Sequence, residues 1–275
     1  MRNLSTDLDL RMLRQKKIFF IDRDGTLSLE DRLLPGAFSL INLLLEQELP
    51  FYILTNNSSR TPREHWSRFV KMGLLIKEEH VLVSLQSALS DLLERGFRQI
   101  YWVANNSVGR YIAGQGFTLS HHRPQAVLLT YDDELSYSRL RWLCRLVRRE
   151  LPYYATHSDL VCPAREGPIP DIGTFIKVVE MTTGRKPDRV FGKPSRMTIQ
   201  HVLTRHGMDF KDAVIVGDRL YTDIRMARGS ALTSVLVLSG ETNENDLEQT
   251  DDLPDYVVED VGELARVLSV GGDKG

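Results

Sequence analysis

Two carboxylates, Asp22 and Asp24, follow directly on a short run of apolar residues near the start of the chain. The run Ile18 to Ile21 contains neither Gly nor Pro, which is typical of a strand buried on both faces. Carboxylates at the end of a buried strand are costly unless a positive charge lies between them. Ligands bind at that strand end in open α/β sheets. The pattern therefore predicts a divalent cation site in which one carboxylate is placed to attack a substrate.

A second apolar run, Phe51 to Leu54, also ends in small polar residues, which are Thr55, Asn56 and Asn57. A helix start follows this loop, and the main-chain N–H groups at such a start suit an anion. We therefore expect this loop to suit an anionic group. A capped turn without a ligand is the alternative explanation.

Two further candidate sites lie late in the chain. The run Ala213 to Val216 ends at Gly217 and is followed by two more carboxylates, Asp218 and Asp223. Lys193 lies between Gly and Pro just beyond a short predicted strand, and these neighbours fix the backbone around it. An exposed turn is the usual place of a lysine, and it is the alternative here.

Short apolar runs alternate with helical stripes along the chain, which predicts the α/β fold class with a mostly parallel sheet. Residues 79–187 contain strands and helices of their own and look like a second, inserted α/β unit. Two stripes of the first unit are predicted to face the core. The first consists of Phe38, Ile41, Leu44 and Leu45, and the second consists of Trp66, Phe69 and Val70.

Four patches match, in order, the motifs of the haloacid dehalogenase superfamily of phosphohydrolases. They are residues 22–27 (DRDGTL), Thr55-Asn56, Lys193, and Gly217-Asp218 with Asp223. Residues 131–137, 217–223 and 238–242 are similar to subfamily IIA, which includes nitrophenyl phosphatases, nucleotidases and sugar phosphatases. The resemblance implies a Rossmann-like catalytic core made of residues 1–78 and 188–275. It also implies a C2-type α/β cap inserted at residues 79–187.

The resemblance also implies roles for individual residues. Asp22 is expected to be the nucleophile that forms an aspartyl-phosphate, Asp24 the general acid and base, and Lys193 the cation that balances the charge. Mg²⁺ is expected as the cofactor, with Asp22, Asp24, Asp218 and Asp223 as its ligands. The substrate is expected to contact Thr55, Asn56 and Asn57 in the core and Asp171, Ile172 and Gly173 in the cap.

The implied activity is Mg²⁺-dependent hydrolysis of small phosphate monoesters of the sugar phosphate or nucleotide class. Three departures from the family pattern are present, one of which is Asn105-Asn106 in place of a common Gly-Glu. Arg23 stands where an apolar residue is usual, and His157 stands where the cap usually carries Asn. Because of the two changes in the cap, the substrate of a named relative does not carry over to this chain.

The sequence leaves three alternative functions open. A phosphotransferase or phosphomutase would use the same aspartyl-phosphate but pass the phosphoryl group to a sugar. A non-catalytic ligand-binding protein could keep the fold, although all four motif patches are present. A nucleic-acid-binding module could use the Arg-rich helix of residues 139–149, but the net charge of -2 argues against it.

Composition sets the remaining expectations. The chain has 275 residues, 26% of them charged, and two cysteines, which fits a reducing compartment. Residues 1–15 lack the hydrophobic region of a signal peptide and are interpreted as a leader arm before the first strand. We therefore expect a cytoplasmic protein that binds neither membranes nor nucleic acid. The resemblance allows a homodimer formed through the cap.

Overall fold

The computed structural model describes residues 10–162 and 167–269, and contacts group these residues into two units. One unit contains the chain up to Thr55, His65–Leu82, and the chain from Thr198 on. The other contains Asn56–Glu64 and Val83–Met197. The predicted boundaries of core and cap differ from these and stay a prediction.

Short strands and helices alternate along the described chain. The strands are β1 (Ile18–Asp22), β2 (Ser28–Leu29), β3 (Arg32–Leu33), β4 (Phe51–Thr55), β5 (Val81–Val83), β6 (Gln99–Val103), β7 (Thr118–Leu119), β8 (Ala126–Leu129), β9 (Tyr153–Ala155), β10 (Val161–Cys162), β11 (Ile169–Pro170), β12 (Arg189–Val190), β13 (Ala213–Gly217), β14 (Thr233–Val237) and β15 (Tyr256–Val258). The α-helices are α1 (Ala37–Glu46), α2 (Pro62–Lys71), α3 (Ser84–Glu94), α4 (Asn106–Gly114), α5 (Tyr137–Val147), α6 (Ile172–Thr183), α7 (Met197–His206), α8 (Arg225–Ala227) and α9 (Val261–Ser269).

The first unit is built on a sheet with the strand order β15-β14-β13-β1-β4-β5. The pairs of β1 with β13 and β4, of β13 with β14, and of β14 with β15 are all parallel. All five residues of β1, β4 and β13 are buried, as expected for strands covered on both faces. The predicted α/β class with a mostly parallel sheet is confirmed.

Helices α1 and α9 contact each other in this unit, and two glycines allow them to approach. Gly36 has φ +76°, and a Cβ there would overlap the main chain of Gly262.

The predicted stripe of α1 is partly wrong because Phe38 is 53% exposed, whereas Leu40 is fully buried. Apolar residues cover more than half of the circumference of α1, so their spacing alone does not show that the buried face is Ala37, Leu40, Ile41 and Leu44.

The predicted stripe of α2 also needs a correction. Phe69 is fully buried as expected, but Val70 is 39% exposed. His65 takes the buried position one turn before Phe69, which a purely apolar pattern does not indicate.

The predicted leader arm is wrong for the residues from Leu10 on. A short 3-10 helix, Arg11–Gln15, precedes β1, and Leu10 and Leu13 are fully buried. Nε of Arg14 donates to the carbonyl of Val267 in α9 over 2.8 Å. These residues are therefore part of the first unit, while residues 1–9 of the predicted arm lie outside the described residues.

The second unit has its own sheet, with the strand order β12-β9-β8-β6-β7 and parallel pairing throughout. One face of this sheet packs on α5 and α6 through a cluster that includes Val127, Leu129, Leu143, Ile176 and Val179. The strand β12 pairs with β9, although residues from 188 on are predicted to belong to the core. A strand of two residues carries too little pattern to show which sheet it joins.

Within residues 10–162 and 167–269, no helix combines the length and the hydropathy that crossing a bilayer requires.

Candidate active site

The nucleophile candidate Asp22 is the last residue of β1, and its side chain is buried. It lies beside Leu54 in the register of β1 with β4, so Thr55 comes one residue later at the same edge of the sheet. Gly25 has φ +91° and donates its N–H to the carbonyl of Ser28, which closes the turn that contains Asp24. The sheet thus places Asp22 and Thr55 at adjacent strand ends, as the sequence predicts.

Arg23, the residue that departs from the family pattern, is buried inside this turn. Its Nη1 lies 3.4 Å from Oδ1 of Asp24, and its Nη2 donates to the carbonyl of Glu30 over 3.1 Å. The guanidinium also lies over the ring of Phe69, 5.8 Å from its centroid. Arg23 therefore holds a positive charge beside the predicted acid and base.

Asp218 follows β13, whose neighbour in the sheet is β1, and its side chain is 1% exposed. Its Oδ2 accepts a hydrogen bond from the main-chain N–H of Glu241 over 2.8 Å. Its Oδ1 lies 3.5 Å from Oγ1 of Thr26, in the turn after β1. The carboxylate is therefore held from both neighbouring loops.

Asp223 lies in a π-helical turn, Leu220–Ile224, which follows directly on the loop after β13. Wide turns of this kind are common at functional sites. Asp223 is fully buried, and its Oδ2 accepts a hydrogen bond from Oγ1 of Thr222 over 3.1 Å. The turn brings a carboxylate five residues past Asp218 back to the same strand end.

Three glycines leave room for these two carboxylates. A Cβ at Gly25 or at Gly240 would overlap the carboxylate of Asp218, and a Cβ at Gly217 would overlap the side chain of Asp223. Glycine at all three positions lets the carboxylates lie directly against main chain.

The carboxylates of Asp22, Asp218 and Asp223 form one cluster. One oxygen from each lies within 4.8 Å of the others, and all three residues are buried. Burial, and then the charges of Asp22 and Asp223, raise the pKa of Asp218 to about 8. Three buried carboxylates repel one another unless a cation lies among them. Oxygen donors of this kind fit Mg²⁺, so the residues present suit the predicted cofactor.

The remaining predicted residues lie in the second unit. Oδ1 of Asn57 accepts hydrogen bonds from N and Oγ of Ser59, over 3.1 and 2.7 Å, so this amide shapes its own loop. Lys193 is 6% exposed, which is unlike the exposed turn lysine of the alternative interpretation. Its main chain is hydrogen bonded to the side chain of Asn56.

The predicted cap residues begin helix α6. Oδ1 of Asp171 accepts a hydrogen bond from the N–H of Ile172 over 2.6 Å and lies 3.0 Å from Nε2 of His157. The side chain of Ile172 is fully buried in the core cluster of this unit. A Cβ at Gly173 would overlap the carbonyl of Ser158. Substrate contacts by these three residues stay a prediction.

Two contributors to the carboxylate cluster were missed by the sequence reasoning. The loop after β14 supplies Gly240 and the N–H of Glu241, and a signal for them existed because they follow a buried strand of the same sheet. Arg219 is buried next to Asp218 and forms an ion pair with Glu241 of 2.9 Å. Burial lowers the pKa of Arg219, but nearby acidic groups, Asp22 foremost, raise it overall.

Two family models match this chain. The model described as "Haloacid dehalogenase-like hydrolase" matches residues 19–118, and the model described as "HAD-hydrolase-like" matches residues 190–264. Together they include the ends of β1, β4 and β13.

Solved structures and curated relatives match over nearly the whole chain. The 4-nitrophenylphosphatase of Thermotoga maritima has 34% identity and a TM-score of 0.89, covering 96% of this chain and 100% of its own. The glycerol phosphate phosphatase of Mycobacterium tuberculosis, solved in complex with magnesium, has 26% identity and a TM-score of 0.81. The match covers 93% of this chain and 77% of that protein's chain. An acid sugar phosphatase of Staphylococcus saprophyticus is 26% identical over 258 residues, covering 93% and 99%.

Proposed function

The chain belongs to the haloacid dehalogenase-like hydrolases, and on that premise we propose that it is a Mg²⁺-dependent phosphatase of small phosphate monoesters. The predicted enzyme class, a phosphoric monoester hydrolase, is confirmed by relatives that are named phosphatases. The substrate class that we propose is sugar phosphates or nucleotides.

The observation that carries the proposal is the buried cluster of Asp22, Asp218 and Asp223 at the ends of β1 and β13. Asp22, Asp218 and the main-chain carbonyl of Asp24 would hold Mg²⁺, with Asp223 as a direct or water-mediated ligand. When bound, Mg²⁺ reduces the repulsion between a carboxylate nucleophile and an anionic phosphate.

The reaction that we propose has two steps. An oxygen of Asp22 attacks phosphorus, the bond to the ester oxygen breaks, and Asp24 gives its proton to that oxygen. Asp24 then takes a proton from water, and the water oxygen attacks phosphorus, which frees Asp22 and inorganic phosphate. Thr55 and Lys193 keep their predicted roles of holding the phosphoryl oxygens and balancing their charge.

The test is release of inorganic phosphate from sugar phosphates, nucleoside monophosphates and 4-nitrophenyl phosphate, with and without Mg²⁺. We expect Asp22→Asn to reduce turnover about 10³-fold or more because an amide cannot form the intermediate. Asp209→Asn, an exposed position before β13, is the matched control and should keep wild-type turnover.

Two results would contradict the proposal. Full turnover in Asp22→Asn would exclude Asp22 as the nucleophile. Transfer of the phosphoryl group to a sugar without phosphate release would identify a phosphotransferase or phosphomutase instead.

A further inference from the structure

The side chain of Asn56 forms two hydrogen bonds with the main chain of Lys193. Its Oδ1 accepts from the N–H of Lys193 over 2.8 Å, and its Nδ2 donates to the Lys193 carbonyl over 3.2 Å. Both residues are buried, at 7% and 6% exposure. The amide thus satisfies both main-chain groups of a residue that is distant in sequence.

The neighbours of both residues support this pairing. Gly192 has φ +68°, and a Cβ there would overlap Oδ1 of Asn56 and come within 3.0 Å of the carbonyl oxygen of Thr156. Ser84, the first residue of α3, donates its hydroxyl to the carbonyl of Asn56 over 2.9 Å. The backbones on both sides of the amide are therefore fixed.

The orientation of the amide is set by a third partner. Nδ2 of Asn56 lies 3.2 and 3.4 Å from the two carboxylate oxygens of Asp159. A carboxylate only accepts hydrogen bonds, so it keeps the NH₂ group on this side and Oδ1 facing the N–H of Lys193.

We propose that Asn56 is a positioning residue for Lys193 and that Asp159 orients the Asn56 amide. The sequence assigns the Asn56 side chain to the phosphoryl oxygens, but in the structure this amide fixes the backbone from which the Lys193 ammonium extends. The inference rests on the proposed function, because it explains how the Lys193 ammonium that takes part in that function is positioned.

A double-mutant cycle separates positioning from direct substrate contact. If Asn56 acts through Lys193, Asn56→Ala lowers kcat about 10- to 100-fold in the wild-type background. In the Lys193→Ala background the same substitution should lower kcat only slightly further. The assay is hydrolysis of 4-nitrophenyl phosphate, with thermal melting to show that each variant is folded. Asn245→Ala, an exposed position, is the matched control and should keep wild-type kcat.

The outcomes are distinct. Effects of the two substitutions that multiply would show that Asn56 acts independently of Lys193, and the inference would be wrong. Wild-type turnover in Lys193→Ala would instead contradict the role of Lys193 in the proposed function, and absence of phosphate release by the wild type would contradict that function as a whole.

A charge exchange tests the part played by Asp159 without truncating a side chain. Asn56→Asp keeps an acceptor for the N–H of Lys193, but it loses the donor to the Lys193 carbonyl and places two carboxylates face to face. We therefore expect kcat to fall about tenfold or more. Adding Asp159→Asn restores an amide-carboxylate pair with reversed polarity and should recover part of that loss, while the donor to the Lys193 carbonyl stays missing. No recovery in the double variant would show that Asp159 does not orient residue 56.

Discussion

Binding of Mg²⁺ to this protein should release about one proton per ion at pH values below 8. In the metal-free chain, burial and the charges of Asp22 and Asp223 raise the pKa of Asp218 to about 8. The carboxyl group is therefore mostly protonated at pH 6 and 7. Since a carboxyl group must be deprotonated to bind a metal ion, the ion has to displace this proton.

The size of the effect follows from the pKa. For each pH unit below 8, the free energy of Mg²⁺ binding becomes about 1.4 kcal/mol less favourable, which weakens the apparent Mg²⁺ affinity about tenfold. We expect binding to be about 100-fold weaker at pH 6 than on a plateau above pH 8. Because the folded-state pKa lies above the ordinary value of about 3.9, the metal-free fold loses stability as pH rises from 4 to 8. Saturating Mg²⁺ should remove that loss.

Isothermal titration calorimetry in buffers of different ionisation enthalpy measures both the affinity and the protons released. Asp223→Asn removes one cause of the raised pKa, so its plateau should begin at a lower pH, with a weaker limiting affinity. The exposed substitution Asp209→Asn should reproduce the wild-type curve. A Mg²⁺ affinity that stays constant from pH 6 to 9, without proton release, would refute the description of the cluster.

Three further substitutions test other parts of the structure. Gly240→Ala puts a Cβ on the carboxylate of Asp218, so titration should show Mg²⁺ affinity at least about tenfold weaker; unchanged affinity would contradict the packing. Arg23→Met removes the ion pair that positions Asp24, the predicted general acid. It should slow hydrolysis of alkyl phosphates more than that of 4-nitrophenyl phosphate, whose leaving group needs less protonation; equal slowing would exclude an effect through Asp24. Leu13→Ala removes a fully buried side chain. Urea unfolding should show a loss of about 2–5 kcal/mol, whereas an arm outside the fold would give none.

The ends of the buried strands could be predicted from the sequence. The runs before Asp22, Thr55 and Asp218 are wholly apolar, and parallel strands put their carboxyl ends at one edge. The convergence of these residues therefore follows from the fold class and the strand neighbours. The hydrogen bonds between the Asn56 side chain and the Lys193 main chain could not be predicted. Every residue type offers the same main-chain groups, so the sequence at position 193 does not indicate such a partner.

Other features depend on packing that the pattern does not contain. Apolar residues cover more than half of the circumference of helix α1, so the exposure of Phe38 follows only from how the helix lies against α9. Leu13 lies among Arg, Gln and Lys residues, so the polar pattern of this stretch does not indicate that the segment is buried. In β12, two residues are too few to show which of two sheets a strand joins.

The central position of β1 affects how the protein forms during its synthesis. Phe20 in β1 pairs with Ile215 in β13, and the whole of Val83–Met197 is translated between them. The second unit is therefore complete in sequence while β1 still lacks one neighbour, and pairings this distant close slowly. The nascent chain should leave the N–H and C=O groups along one edge of β1 unpaired until the last quarter of the protein leaves the ribosome. We therefore expect the acidic cluster to be among the last parts of the enzyme to assemble.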